Sequence, residues 1–184
     1  MSTPADIAAK VLRSGGVIAY PTEGVFGLGC LPGDDAAVKR ILNIKKRDAS
    51  KGLILIAANA SQLDPWITLP DNTLLPKPVE NYPITWIVPI SSKTTNLIRG
   101  NNSGIAVRLT DNSIVQSICS TVESAIVATS ANISGQSVAK DQSDLSRQFK
   151  DLVDYIVPGE CGPASGPSEI RILATGEILR RGKK

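Results

Sequence analysis

Six basic side chains, Lys39, Arg40, Lys45, Lys46, Arg47 and Lys51, meet a single acid, Asp48, within one short stretch of the chain. Cations at this density either complement the negative end of a helix or bind phosphate. Phosphate binding weighs more for Lys45, Arg47 and Lys51, which straddle the junction where a helix hands over to the apolar run 52–57 and so stand at the natural rim of a pocket. A second polar group, Ser130-Ala131-Asn132, follows directly on the apolar stretch 125–129. It either forms a plain turn or sits where ligands of open α/β sheets bind, beyond the strand ends. Arg108 interrupts the apolar segment Ile105-Ala106-Val107-Arg108-Leu109, so it either reaches solvent at an edge or points a fixed cation into a cleft. Ser165-Gly166-Pro167-Ser168 reads as a cover over a site or as a surface loop.

The absences narrow the chemistry further. The chain contains no histidine, which excludes Ser-His-Asp and Cys-His nucleophiles, imidazole-bound zinc and a histidine base. Catalysis has to run on Lys, Arg, carboxylates, hydroxyls, backbone groups, bound ions or the substrates themselves. There is no G-x-x-x-x-G-K-[ST] loop, and the segment from Gly27 to Gly33 misses G-x-G-x-x-G because Pro32 takes the third glycine's place. Phosphate binding therefore rests on dispersed cations. Cys30, Cys119 and Cys161 are odd in number and far apart, as suits reduced thiols. Cys30 and Cys119 read as core residues, and Cys161 as exposed in its loop.

The elements that must position these groups alternate between helix and strand. With 184 residues, 42% hydrophobic, and a net charge of +3, one α/β domain spanning 1–184 is expected, mildly basic and with no secretory leader or membrane span, hence cytoplasmic. Thr3-Pro4 starts a helix whose stripe is Ile7, Ala8, Val11 and Leu12, ended by Gly15-Gly16. Strands are expected at 17–20 and 24–30, and Asp34 or Asp35 caps a helix presenting Val38, Ile41 and Leu42 and running to about Lys46. The run 52–57 has the all-apolar pattern of a strand covered on both faces. Six prolines between Pro65 and Pro89 break that region into turns before a strand at 84–88. Then come a strand at 104–110, a helix capped by Asp111 with Ile114, Val115, Ile118 and Val122 inward, a strand at 125–129, and a helix near 142–150. A strand at 155–157, a Gly/Pro/Ser loop at 159–167 and two short strands flanking Thr175-Gly176 complete the order.

Taken together, Tyr20-Pro21-Thr22-Glu23, Phe26-Gly27-Leu28-Gly29-Cys30, Lys45-x-Arg47 with Lys51-Gly52-Leu53, Ala106-Val107-Arg108, Thr129-Ser130-Ala131-Asn132-x-Ser134-Gly135 and Pro167-Ser168-Glu169-Ile170 resemble the YrdC/TsaC family of threonylcarbamoyl-AMP synthases. The resemblance runs from the first helix to Arg180 and is nearest to the short bacterial form, which lacks the C-terminal domain of longer relatives. It implies an open, twisted, mixed sheet with flanking helices (YrdC/RibB-like) around a deep basic cleft. It also implies an activity: L-threonine, bicarbonate or its CO2, and ATP give threonylcarbamoyl-adenylate and pyrophosphate, and a separate transferase complex then modifies adenosine in tRNA. By position, Thr22, Arg108 and Ser168 would bind substrate. Lys45, Arg47 and Lys51 would face phosphates and the carboxylate intermediate, Ser130 and Asn132 the nucleotide or its magnesium, and Arg180 the nucleotide. Mg2+ would arrive with ATP, with no metal held tightly by the protein. Where the family usually has Trp-Pro-Gly-Pro, this chain has Glu80-Asn81-Tyr82-Pro83, which alters the loop there. From another functional class, a basic cleft would also serve a non-catalytic RNA- or tRNA-binding module, although 4% aromatic residues offer little base stacking.

Overall fold

The computed structural model describes residues 1–182, and within them the expected α/β alternation is present. Nine strands form one sheet: β1 (Ile18–Tyr20), β2 (Gly27–Gly29), β3 (Ile54–Ala57), β4 (Ile84–Pro89), β5 (Gly104–Leu109), β6 (Ile126–Ser130), β7 (Tyr155–Ile156), β8 (Glu169–Ile172) and β9 (Ile178–Arg180). Their order is β7-β1-β2-β6-β3-β5-β4-β8-β9. The β1/β7, β3/β5 and β4/β8 pairs are parallel and the rest antiparallel, so the sheet is mixed. The helices are α1 (Pro4–Arg13), α2 (Asp35–Lys45), the single turn α3 (Asn96–Arg99), α4 (Ser113–Val122) and α5 (Gln142–Phe149).

Side chains alternate across a strand, so each strand sends one set to each face. Leu28, Leu55, Val107 and Val127 meet Val38, Ile41 and Leu42 of α2 and Leu145 and Phe149 of α5 on one face. Ile18, Tyr20, Ile56, Ile126 and Ala128 meet Ala8, Ala9 and Leu12 of α1 and Val115, Ile118 and Cys119 of α4 on the other. Both faces are therefore covered, as the apolar run of β3 requires.

Several boundaries differ from expectation for local reasons. The Thr3 capping box with Asp6 starts α1 as read, but Ile7 is 40% exposed while Ala8 and Ala9 are buried. The α1–α4 seam uses small side chains that let the helices approach, rotating the buried stripe away from Ile7. Asn112, not Asp111, caps α4: its Oδ1 accepts from Ile114 N and Val115 N, each at 3.1 Å. Ile114 is only half-buried. Only 27–29 of the stretch 24–30 pairs as β2. Its glycines permit close packing, since a Cβ on Gly29 would lie 2.6 Å from Val127 O and 2.8 Å from the Tyr20 ring. Tyr20, fully buried, donates its hydroxyl to Val127 O at 3.1 Å. α3 and two single 3-10 turns, Ala49–Lys51 and Ala60–Gln62, lie in segments with no helical periodicity. Cys30 and Cys119 are buried as read, with their thiols pushed up by desolvation, whereas Cys161 is half-buried rather than exposed. In the altered loop the positive φ of 56° falls on Asn81, which tolerates it, and Tyr82 donates its hydroxyl to Glu169 Oε2 at 2.7 Å. The Glu169 carboxylate, buried beside Ser168, also pairs with Arg171.

Candidate active site

Strand register selects which residues meet. Ile54 pairs with Ala106 and Ala128, Ile56 with Arg108, Ala106 with Ile87, Gly27 with Ser130, Thr85 with Ile170, and Ile170 with Arg180. Partners in register share a face, and so do residues two apart on one strand. Arg108, Ser130, Ile54, Thr85 and Arg180 thus project from the face that carries α1 and α4. This face is where a cavity of about 120 Å³ opens, lined by Thr22, Arg47, Arg108, Ser130, Ser168 and Arg180 together with Val25, Phe26, Leu53 and Ile54. Arg108, 7% exposed, points inward rather than reaching solvent at an edge.

Each polar group is held by its own local device. Lys46 ends α2 in the left-handed conformation with φ 49°. The chain reverses there, and Arg47 donates to Gly52 O through Nη2 at 2.9 Å and Nε at 3.3 Å. Arg180 donates to Ser168 O through Nη2 at 2.6 Å and Nε at 3.1 Å. Buried Ser168 shares a 2.7 Å hydroxyl–hydroxyl bond with fully buried Thr85. Thr22 Oγ1 donates to Val25 O at 2.6 Å, closing the turn between β1 and β2. The loop 159–167 is tied to that turn, as Gly162 N donates to Thr22 O at 2.8 Å and Ala164 N to Glu23 O at 2.9 Å. That loop is thereby a wall of the site rather than a detached surface segment. Gly24 fits beneath it with no space to spare, since a Cβ there would meet Ala164 O at 2.5 Å and Gly166 O at 2.6 Å.

Three of the expected site residues stand apart from the lining. Lys45 is buried, and its ammonium donates to Ser130 O, to Asn132 O at 2.8 Å and to Asn132 Oδ1 at 3.1 Å. All three of its protons have protein acceptors. Asn132 is equally committed: its Oδ1 also accepts from Ser130 Oγ at 2.7 Å, and its Nδ2 donates to Gln136 O at 3.0 Å and Ile133 O at 3.3 Å. Lys45 and Asn132 therefore fix the turn that presents Ser130, with Ser134 N returning a bond to Lys45 O at 2.8 Å. Lys51 is exposed on its 3-10 turn and does not line the cavity.

The lining is cationic. Burial disfavours the charged form of Arg47, opposed in part by Asp48. Arg180 is disfavoured first by burial and then by the positive charges of Arg108 and Arg47. Three guanidiniums border one cavity, an arrangement suited to an anion. No carboxylate lines the cavity, and no group of three or more acidic, Cys or His residues gathers among the described residues. The oxygen ligands on offer are the hydroxyls of Thr22, Ser130 and Ser168, a set that fits a hard cation held mainly by phosphate and water. Behind the lining, Glu23 is 7% exposed and lies with its Oε2 3.2 Å from Arg108 Nη2. The sequence motif Tyr20-Pro21-Thr22-Glu23 contains this residue but assigns it no role; the signal was a lone acid in the apolar, Gly-rich stretch that also holds Thr22.

The Sua5/YciO/YrdC family model, described as telomere recombination, matches residues 10–182. A threonylcarbamoyl-AMP synthase of Nitrosococcus oceani is 45% identical over 177 residues, covering 95% of each chain. Another from Vibrio vulnificus is 41% identical over 179 residues, covering 94% of this chain and 95% of its own. The crystal structure of P. abyssi Sua5 complexed with L-threonine superposes with a TM-score of 0.85 at 28% identity, covering 97% of this chain and 54% of that one. This chain thus spans about half the length of that Sua5. Full-length HypF in a phosphate- and nucleotide-bound form shares the fold, with a TM-score of 0.82 at 21% identity over 99% of this chain and 29% of that chain.

Proposed function

We infer the function from one premise: the chain belongs to the Sua5/YciO/YrdC family. It is a nucleotidyltransferase that joins L-threonine, bicarbonate or its CO2, and ATP into threonylcarbamoyl-adenylate with release of pyrophosphate, the first step towards N6-threonylcarbamoyladenosine in tRNA. The observation that carries this reading is the convergence of Arg47, Arg108 and Arg180 on one cavity whose lining contains no carboxylate.

The chemistry asks for what such a cavity supplies. The lone pair of the threonine amine attacks CO2 carbon and the nitrogen loses a proton, giving a carbamate. A carbamate oxygen then attacks the α-phosphorus of ATP, and pyrophosphate departs with the electron pair of the broken P–O bond. Starting from bicarbonate, one water is released overall. Negative charge spreads over phosphate oxygens as the bond breaks, and fixed guanidiniums stabilise it without a histidine base. Thr22, Arg108 and Ser168 hold the amino acid, while Arg47, Ser130 and Arg180 hold the nucleotide. Lys45 and Asn132 serve the nucleotide through Ser130, and Lys51 acts from the exposed rim. Magnesium would arrive bound to ATP and neutralise phosphate charge, and Ser130 is the hydroxyl that would face it. Alignment of two small substrates accounts for much of the rate.

The protein works in the cytoplasm and hands its labile product to a downstream tRNA threonylcarbamoyl transferase complex. No helix among the described residues is long and apolar enough to cross a membrane. The test is incubation with ATP, magnesium, threonine and bicarbonate, omitting each in turn and assaying pyrophosphate and the mixed anhydride. Product that requires all four supports the reading. Absence of product, together with RNA binding that weakens steeply with salt, would replace it with the RNA-binding module.

A further inference from the structure

Glu23 has no part in the chemistry above, yet its placement is specific. A guanidinium as buried as that of Arg108 needs a counter-charge. Glu23 supplies it from the β1–β2 turn, with the two side chains only 9% and 7% exposed. Arg108 and Thr110 are two residues apart at the end of β5, and Glu23 engages both. Thr110 Oγ1 accepts from Asn112 N at 3.1 Å, so its single proton goes to Glu23 Oε1. The backbone of Glu23 is held as well, its carbonyl accepting from Ala164 N. The carboxylate is thus fixed at one oxygen and by its own main chain.

The other oxygen holds the charge of Arg108 in place without taking up one of its hydrogen-bond donors. Glu23 Oε2 and Arg108 Nη2 are 3.2 Å apart but off the direction of a hydrogen bond, and neither Glu23 Oε2 nor Arg108 Nε has a hydrogen-bond partner among the described residues. Arg108 keeps its donors uncommitted while its charge is tethered from behind, and it lines the cavity beside Thr22 and Ser168. This arrangement contrasts with Arg47 and Arg180, each bonded twice to a backbone carbonyl.

We propose that Glu23 is a positioning residue that fixes the guanidinium of Arg108 so that its free donors meet the carboxylate of the amino-acid substrate. The inference rests on the reading that this cavity binds threonine. Glu23 acts only through Arg108, so its removal harms threonine binding selectively.

The experiment compares wild type, Glu23→Gln, Arg108→Gln and the double variant in steady-state pyrophosphate release, varying threonine and ATP separately. Glu23→Gln keeps the shape and an acceptor for Thr110 but removes the charge. The expected result is a rise in threonine KM of about tenfold or more with ATP KM changed less than about twofold, and no further rise when the substitution is added to Arg108→Gln. Thr110→Val, which frees the carboxylate without removing it, should raise threonine KM about threefold, again only when Arg108 is present, and it carries the test if Glu23→Gln does not fold. An unchanged threonine KM, an equal rise for ATP, or the same rise in the Arg108→Gln background would overturn the proposal. A wild-type protein that does not saturate with threonine would instead defeat the underlying reading, so the two failures are distinct.

Discussion

Lys45 Nζ lies 2.8 Å from the carbonyl oxygen of Asn132 and 3.1 Å from the same residue's Oδ1, and it also donates to Ser130 O. A lysine expected to touch phosphate is thereby the clamp of a turn. Lys45→Met removes the clamp; Ser130 O keeps the Asn132 N–H and Asn132 Oδ1 keeps the Ser130 hydroxyl, so the part-buried Asn132 O is the acceptor that loses its donor, at about 1 kcal/mol. A fall in thermal midpoint together with a loss in kcat/KM of about hundredfold is expected, since a misplaced Ser130 degrades nucleotide alignment. Retention of full turnover by Lys45→Met would show that Ser130 needs no such support.

The same lysine gives a pH signature. Burial first, and then the charge of Arg47, lowers its pKa from the ordinary 10.5 to about 8. Between those values the unfolded chain binds more protons than the folded one at this site, so its contribution to stability rises with pH rather than falls. Activity moves the other way, because a neutral amine has two protons for three acceptors. We expect kcat/KM to drop as pH passes about 8 while the denaturation midpoint does not, and Lys45→Arg, which stays charged, to abolish that alkaline arm. Parallel pH profiles and denaturant melts check both signs.

Arg47→Ala and Lys51→Ala separate a lining residue from an exposed one. Arg47 lines the cavity, so its loss should lower kcat/KM about hundredfold or more, about 2.7 kcal/mol of transition-state stabilisation. Lys51 is exposed and outside the lining, and its alanine variant should lose about threefold or less, with a salt-sensitive KM for ATP. Equal losses in the two variants would contradict this placement.

The contrast between these two lysines marks how far the sequence could be read. Periodicity and caps located the principal strands and helices, because apolar spacing and the Thr3 and Asp34 caps act locally. The family resemblance, not spacing, joined Arg47, Arg108, Ser130, Ser168 and Arg180 into one set of candidates, and the structure puts them in one cavity. What the sequence does not encode locally is the direction of a long flexible side chain: Lys45 and Lys51 are alike as letters, yet one is buried beneath a turn and the other lies in solvent. The partnership of Glu23 and Arg108 was hidden for a related reason, as it depends on β5 and the β1–β2 turn meeting across the fold.

Gly24→Ala tests the wall of the site. The added methyl would sit 2.5 Å and 2.6 Å from two backbone oxygens of the loop 159–167, neither of which is a flexible side-chain end. The loop must shift, carrying Pro167 and Ser168 with it. A loss of about tenfold or more in kcat/KM, with a destabilisation of about 1–3 kcal/mol, is expected from this overpacking. Melting and steady-state assays on the same sample check it, and unchanged values for both would mean that the loop adjusts freely.

Tyr82→Phe probes the altered loop. Losing the 2.7 Å bond to Glu169 should lower the midpoint in chemical denaturation. Glu169 follows Ser168 at the start of β8, so a modest rise in threonine KM should accompany it. A midpoint identical to wild type would place the bond outside the energetics of the fold.

Thr22 stands near the start of the sequence and Arg180 near its far end, yet both border the same hollow, with Arg108 and Ser130 drawn in from between. Translation delivers these groups one after another, and the last of them emerges only when β9 has been made. A nascent or prematurely terminated polypeptide that stops short of Arg180 consequently lacks part of the lining of this hollow.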